Sequence, residues 1–230
     1  MSAKENTSEE PIVDVIEAYS KTEKYIDENQ QSLTIIVGII VLVIGGYLAY
    51  QKMYIEPMET EAQSQMFMAE KYLSMDSVNL AINGDGNYLG FLDIVDEYGI
   101  TKSGNLANYY LGICYLKQGL YEDAIESLSS FDGNDEMLGA VATGAIGDAY
   151  MELGNTDNAI SYYKDAASHS NNEFTTPLYL MKIAGAYESL DEYGKAVAIY
   201  EDIKTNFGET KEGLEIDKYL ARAKTKAAQI

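Results

Sequence analysis

Two patterns of apolar and polar positions alternate along the chain. From Leu33 to Tyr50 the run "LTIIVGIIVLVIGGYLAY" is almost unbroken in apolar character, and no charged residue lies between Glu28 and Lys52. After Lys52 the apolar residues recur instead at helical intervals of three and four, as at Leu111 with Tyr115 and Ile160 with Tyr163. Turn residues interrupt them regularly, among them Gly119, Gly154 and the cluster "NGDGN". The expectation is an all-α chain, with one long apolar helix followed by many shorter amphipathic ones.

The shorter helices repeat. "GICYLKQGLYEDAIESL" places Gly112, Tyr115, Gly119, Ala124 and Leu128 where "GDAYMELGNTDNAISYY" places Gly147, Tyr150, Gly154, Ala159 and Tyr163. A third copy, "AGAYESLDEYGKAVAIY", supplies Ala184, Tyr187, Ala196 and Tyr200. A period of about 34 residues built from helix, turn and helix is the signature of tetratricopeptide repeats, so the expected architecture is a TPR-like α-solenoid behind a single transmembrane helix. Small residues permit close helix crossings, which makes Gly112 with Ala124, Gly147 with Ala159 and Ala184 with Ala196 the expected contact pairs. Gly119 and Gly154 are expected to end first helices, and Thr156 and Asp191 to N-cap second helices.

These signals divide the chain into an acidic tail over 1–31, a span over 32–52, a degenerate first repeat over 53–104, and repeats over 105–138, 140–173 and 177–210. A capping helix over 211–230 closes the stack. In the tail, Ile12, Val15, Ile16, Tyr19 and Ile26 allow a short amphipathic helix after Pro11. A break is expected near Pro57. In the degenerate repeat Ala69 and Tyr72 hold first-helix positions, while the second helix, "NYLGFLDIVDEYG", arrives about nine residues late, behind Asn83 to Gly86. That insert reads as a turn, because the alternating oxygen ligands of a calcium loop are missing.

At 1.5 Å per residue the apolar run reaches roughly 27 Å, close to a bilayer's hydrocarbon thickness. It starts too late and runs too long for a signal-peptide core and has no small-x-small cleavage site after it, so it reads as an uncleaved anchor. Tyr47, Tyr50 and Tyr54 suit the membrane interface. Gly38, Gly45 and Gly46 either admit another transmembrane helix or reflect how common glycine is in such spans. Lys21 and Lys24 flank one end and Lys52 the other, a margin of one lysine for a cytoplasmic N-terminus.

Net charge is −21, of which −16 falls after Tyr50. Such a surface, without a basic stripe, argues against nucleic-acid binding. Cys114, the single cysteine, reads as a small core residue. His169 is the single histidine, in the polar stretch "ASHSNNE", and Asp93, Asp96 and Glu97 read as the wet face of a helix. No nucleophile motif, phosphate loop or metal-ligand spacing is present, so neither an enzyme, nor a cofactor, nor a small-molecule substrate is expected. The array reads as a protein-interaction module. Its first helices would line a concave, mostly apolar face with Leu106, Tyr109, Ile113 and Leu116, then Val141, Gly144 and Met151, then Leu178 and Met181, and only Lys117 and Lys182 lie near. That lining suits extended or helical segments of varied sequence, unless the protein's own terminal helices cover it.

The order of "SKTEKYIDENQ", a single span, "YIEPMETEAQSQMF", "NGDGNYLGFLDIVDEYG" and "SGNLANYYLGICYLKQGLYEDAI" resembles the YfgM-type tetratricopeptide proteins, ancillary subunits of the bacterial Sec translocon. The resemblance implies a single-pass inner-membrane protein with a periplasmic solenoid, partnered by SecYEG and a PpiD-type periplasmic chaperone, without catalytic residues. Two other classes stay open: a scaffold for another envelope assembly complex, and a cytosol-facing anchored co-chaperone.

Overall fold

The computed structural model of the chain describes residues 10–229, with side chains described at 21 and at 23–229. It divides into two units, Met1–Glu56 and Pro57–Ile230. Every regular element among the described residues is helical.

The first unit is α1, Glu10–Tyr50, followed by a π-helical turn over Gln51–Ile55. Its apolar side chains from Ile35 to Leu48 stand exposed, and it contains the only helical stretch among the described residues long and apolar enough to cross a membrane. Unbranched helix suits such a stretch because every backbone polar group is satisfied internally. A Cβ at Gly38, Gly45 or Gly46 would meet no other atom. Tyr50 and Tyr54 stack at 5.4 Å, and Lys52 pairs with Glu56 at 3.0 Å. The tail expected after Pro11 is helical in its backbone. The side chains of Ile12, Val15, Ile16 and Tyr19 lie outside the described residues.

The second unit stacks helical hairpins. α2 (Glu56–Ser74) carries Pro57 directly after the π-helical turn, and the helical backbone continues through it where a break was expected, the proline's missing N–H being met by a local π-helical adjustment. α3 (Val78–Asn83) and α4 (Phe91–Tyr98) follow. Then come three regular pairs: α5 (Lys102–Gln118) with α6 (Tyr121–Ser130), α7 (Leu138–Glu152) with α8 (Thr156–His169), and α9 (Thr175–Ser189) with α10 (Tyr193–Asn206). α11 (Lys211–Ala227) packs Ile216, Leu220 and Ala223 on Tyr200 and Ile203, covering the end of the stack.

One turn recurs after each first helix. The N–H groups of Ser77, Leu120, Asn155 and Glu192 donate to the carbonyls of Tyr72, Tyr115, Tyr150 and Tyr187, at 2.8–3.0 Å. The residue before each donor is left-handed: Asp76 at φ 56°, Gly119 at 75°, Gly154 at 73° and Asp191 at 59°. Asp191 therefore fills the glycine site of the turn and does not cap the next helix, whose N-cap is Glu192. Thr156 is likewise displaced by one. Asn155 is the N-cap of α8, and its side chain accepts from the Asn158 N–H.

The same register places the first repeat's second helix on time. α3 begins two residues after Asp76, as α6 begins two after Gly119, and Ala81 occupies the buried position of Ala124, Ala159 and Ala196. The helix is interrupted at Gly84 and resumes as α4, which buries Phe91, Ile94 and Tyr98. The insert is a turn: Asp85 Oδ1 accepts from the N–H groups of Asn87 and Tyr88, and Asp85 Oδ2 accepts from the Tyr72 hydroxyl at 2.8 Å. The Tyr72 bond, with those two N–H groups, holds the Asp85 carboxyl below its ordinary range.

Close helix crossing is governed by a pair sixteen residues apart. A Cβ at Gly112 would lie 2.5 Å from Leu128 Cγ, and one at Gly147 would lie 2.6 Å from Tyr163 Cε1. Ala184 and Tyr200 occupy the third such pair, both buried in one cluster. The small residue thus makes room for the large side chain at the following helix's centre, and the buried alanines of the second helices pack beside it. Ala159 has no exposed surface, whereas Ala167 is partly exposed. Ala159→Leu is expected to cost about 1–3 kcal/mol and Ala167→Leu less, by thermal melting followed by circular dichroism. Equal melting of Ala159→Leu and the parent chain would contradict this packing.

Candidate protein-binding surface

Side-chain staples tie α5 to the end of α2, α9 to α7, and α11 to α9. Lys117 pairs with Asp76 at 2.8 Å, and Lys182 donates to both oxygens of Asp148, Oδ2 at 2.7 Å. Arg222 donates to Glu188 at 2.7 Å. The same carboxylates receive hydroxyls, Tyr163 onto Asp148 at 2.7 Å and Tyr200 onto Glu188 at 2.9 Å. Partly exposed ion pairs contribute only about 0–1 kcal/mol each, so these bonds fix geometry more than they add stability. They also occupy Lys117 and Lys182, the two cations nearest the expected binding face.

The nine residues expected to line that face fall into two groups. Tyr109, Ile113 and Leu116 are half-buried against Ala142, Ala145 and Ile146, and so join one repeat to the next. The Tyr109 ring lies 5.4 Å from Tyr110 and 5.7 Å from Phe131. Gly144 is buried under Tyr179, where a Cβ would come within 2.0 Å of the ring. Met151 packs on the cluster of Tyr163 and Tyr179, and Met181 on that of Tyr200. Leu106, Val141 and Leu178 form the second group. Leu106 joins Met66 and Phe67 in an open groove of about 360 Å³ between α2 and α5. Val141 is partly exposed, and Leu178 is 37% exposed.

Beside that groove Glu59 accepts from the Ser103 N–H and hydroxyl at 3.0 and 2.8 Å. Burial opposes its charge, yet the bonds from Ser103 and Gln63 hold its carboxyl below the ordinary range. A larger groove of about 660 Å³ lies between α8 and α10 over α9, with Lys164, Asn172, Thr176, Asp202 and Asn206 in its wall.

Residues with potential chemistry serve packing. Burial pushes the Cys114 thiol up to about 11. His169 ends α8, lies over Gly139, and has Nε2 3.1 Å from the Asp135 carbonyl oxygen. No cluster of metal-ligating side chains occurs among the described residues.

The apolar residues at the starts of the first helices escaped the sequence reading. Met137 and Phe174 immediately precede α7 and α9 and are 51% and 74% exposed. Leu214 in α11 is equally open. Their signal was present in "DEML" and "NEFT", where an Asx, a glutamate and an apolar residue recur in order, but the three-and-four rule assigns such positions to a core.

Two tetratricopeptide-repeat family models match the chain, over residues 106–132 and 144–171. No curated protein matches it. Among solved structures, the nearly identical TPR-like repeats of a Podosopora anserina kinesin light chain are similar at 17% identity and a TM-score of 0.58, over 74% of this chain and 89% of that one. A variant of the same protein gives 18% identity and the same TM-score, over 74% and 88%. At such identity the likeness establishes the fold alone. An N-terminal apolar helix followed by TPR-like helical repeats is the architecture of this chain, and the repeats make it a protein-interaction scaffold of a kind that is typically not enzymatic.

Proposed function

We propose that the protein is a single-pass subunit of the bacterial inner membrane that associates with the SecYEG translocon and offers its solenoid to periplasmic partners. In this reading α1 crosses the bilayer with the N-terminus in the cytoplasm, and the solenoid is periplasmic, binding a PpiD-type chaperone or an emerging chain. The observation that carries it is an apolar, fully exposed helical run joined to an interaction array. Leu178, exposed, and Leu106 and Val141, partly exposed, are the residues offered to a partner. Tyr109, Ile113, Leu116, Gly144, Met151 and Met181 set the spacing of the repeats beneath them. Gly38, Gly45 and Gly46, with nothing packed on them, are the positions where a translocon helix can approach the span closely.

Protease added to spheroplasts is expected to digest the solenoid, and protection until lysis would place it in the cytoplasm instead. In pull-downs from native membranes, exchanging Leu33–Tyr50 for an unrelated span is expected to lose the translocon while keeping the soluble partner. Leu178→Glu is expected to do the reverse. If the exchanged span retains SecYEG, or the folded Leu178→Glu chain retains every soluble partner, this division of surfaces is wrong.

A further inference from the structure

The last two first helices, α7 and α9, begin alike. Asp135 Oδ1 accepts from the N–H groups of Met137 and Leu138 at 2.9 and 2.8 Å, and Asn172 Oδ1 accepts from those of Phe174 and Thr175, both at 2.8 Å. The Asn172 amide also donates to Ser170 and Thr175, and the Ser170 hydroxyl donates to the Glu136 carbonyl at 2.7 Å. The two loops are therefore bonded into one edge. Their backbones are fixed while the side chains of Met137 and Phe174 point outward, with Leu178 one turn beyond Phe174 on the same helix face. A rigidly presented aromatic anchor loses little conformational entropy on binding.

The residues next to the two anchors are acidic, with Lys164 lining the groove that Glu173 also borders. Glu136 precedes Met137 and Glu173 precedes Phe174; both are exposed, and neither forms an ion pair among the described residues. Seven cations of the array, Lys117, Lys182, Lys195, Lys204, Lys218, Arg222 and Lys224, are each engaged on a carboxylate of this chain. A second copy would bring a like charge of −16 to the edge, and anionic headgroups would be repelled in the same way.

We propose that this edge docks a polypeptide segment in which Lys or Arg alternates with apolar residues, with Met137, Phe174 and Leu178 as apolar anchors and Glu136 and Glu173 as the charge partners. The inference rests on reading the array as an interaction scaffold, and it adds the chemistry of what the array accepts. Apolar anchoring supplies affinity, and the glutamates select against acidic segments.

The test is fluorescence anisotropy of a labelled alternating Lys-Leu peptide with the full chain in neutral detergent, with empty micelles as baseline and Glu-Leu and Lys-Ser peptides alongside. The Lys-Leu peptide is expected to bind best and to weaken with salt. Phe174→Ser is expected to lower its affinity by about tenfold or more with unchanged melting, as befits an anchor outside the core, and Phe174→Leu to retain most of it. Glu136→Gln with Glu173→Gln is expected to remove most of the salt dependence. Equal binding of the Glu-Leu and Lys-Leu peptides, or an unchanged affinity in Phe174→Ser, would overturn the proposal. So would a dimer, or adhesion to anionic vesicles, that Phe174→Ser abolishes while peptide binding persists. Translocon association is read separately by the membrane pull-down, so failure at this edge and failure of the Sec assignment are distinguishable.

Discussion

Tyr163→Ala is expected to lower the unfolding free energy by about 3–5 kcal/mol, a large part of the 5–15 kcal/mol that a domain usually has. The ring is buried, stacks on Tyr179 at 6.3 Å, donates its hydroxyl to Asp148, and lies over Gly147. Its removal opens a cavity at the centre of the α7/α8 hairpin. The more informative measurement is the double variant. In the parent chain Gly147→Ala drives a methyl into the Tyr163 ring and is expected to cost about 1–3 kcal/mol. With Tyr163 already truncated the clash is gone, and the same substitution is expected to stabilise by up to about 1 kcal/mol through helix propensity. Denaturant unfolding of the four species gives the coupling. Additive effects would mean that residues 147 and 163 do not meet.

Alkali is expected to unfold the array cooperatively. Burial raises the phenol of Tyr163 first of all, reinforced by its bond to Asp148. Tyr179 is raised by burial and the Asp148 charge, and Tyr200 by burial and its bond to Glu188. All three folded-state values lie above the ordinary 10.0 of an unfolded tyrosine. The folded state therefore keeps protons that the unfolded state releases. Stability is fully present below about pH 10 and falls as pH rises beyond it, by about 1.4 kcal/mol per pH unit per tyrosine and up to about 4 for the three. Tyr163→Phe keeps most of the packing and is expected to flatten that slope by about a third. Phenolate absorbance and helical circular dichroism should change together. Ionisation of all three phenols in a chain that stays folded would contradict their burial.

Much of this was readable from residue type alone. The helix-turn-helix period, the long apolar helix and the terminal cap follow from spacings that obey helical geometry, and Gly119 and Gly154 signal their turns because left-handed backbone favours glycine. Asp76 and Asp191 hide the same turn, since aspartate is expected to cap helices and only backbone angles show it in the glycine site. Without Asp76 as a marker, α3 could not be recognised as a second helix in register. The binding face was legible only in part. Period identifies which residues share a face, but not whether the next repeat covers it, and that is why Tyr109 and Gly144 are packed while Leu178 is open. Met137 and Phe174 lie just outside their helices, where periodicity makes no statement.

The interruption of the first repeat has a use in protein engineering. A Cβ at Gly84 would lie 2.2 Å from the Tyr88 carbonyl oxygen, and one at Gly90 would lie 2.1 Å from that of Ile82. The chain leaves and re-enters the helix through a pinch that only glycines permit, and the loop between is exposed and tied mainly to itself. With its ends already clamped, extra length there carries only the slowly growing, logarithmic entropy of a longer loop. The tip at Gly86 and Asn87 is thus a natural port at which a tag, reporter or whole domain can be spliced into the solenoid while α3 and α4 keep their places.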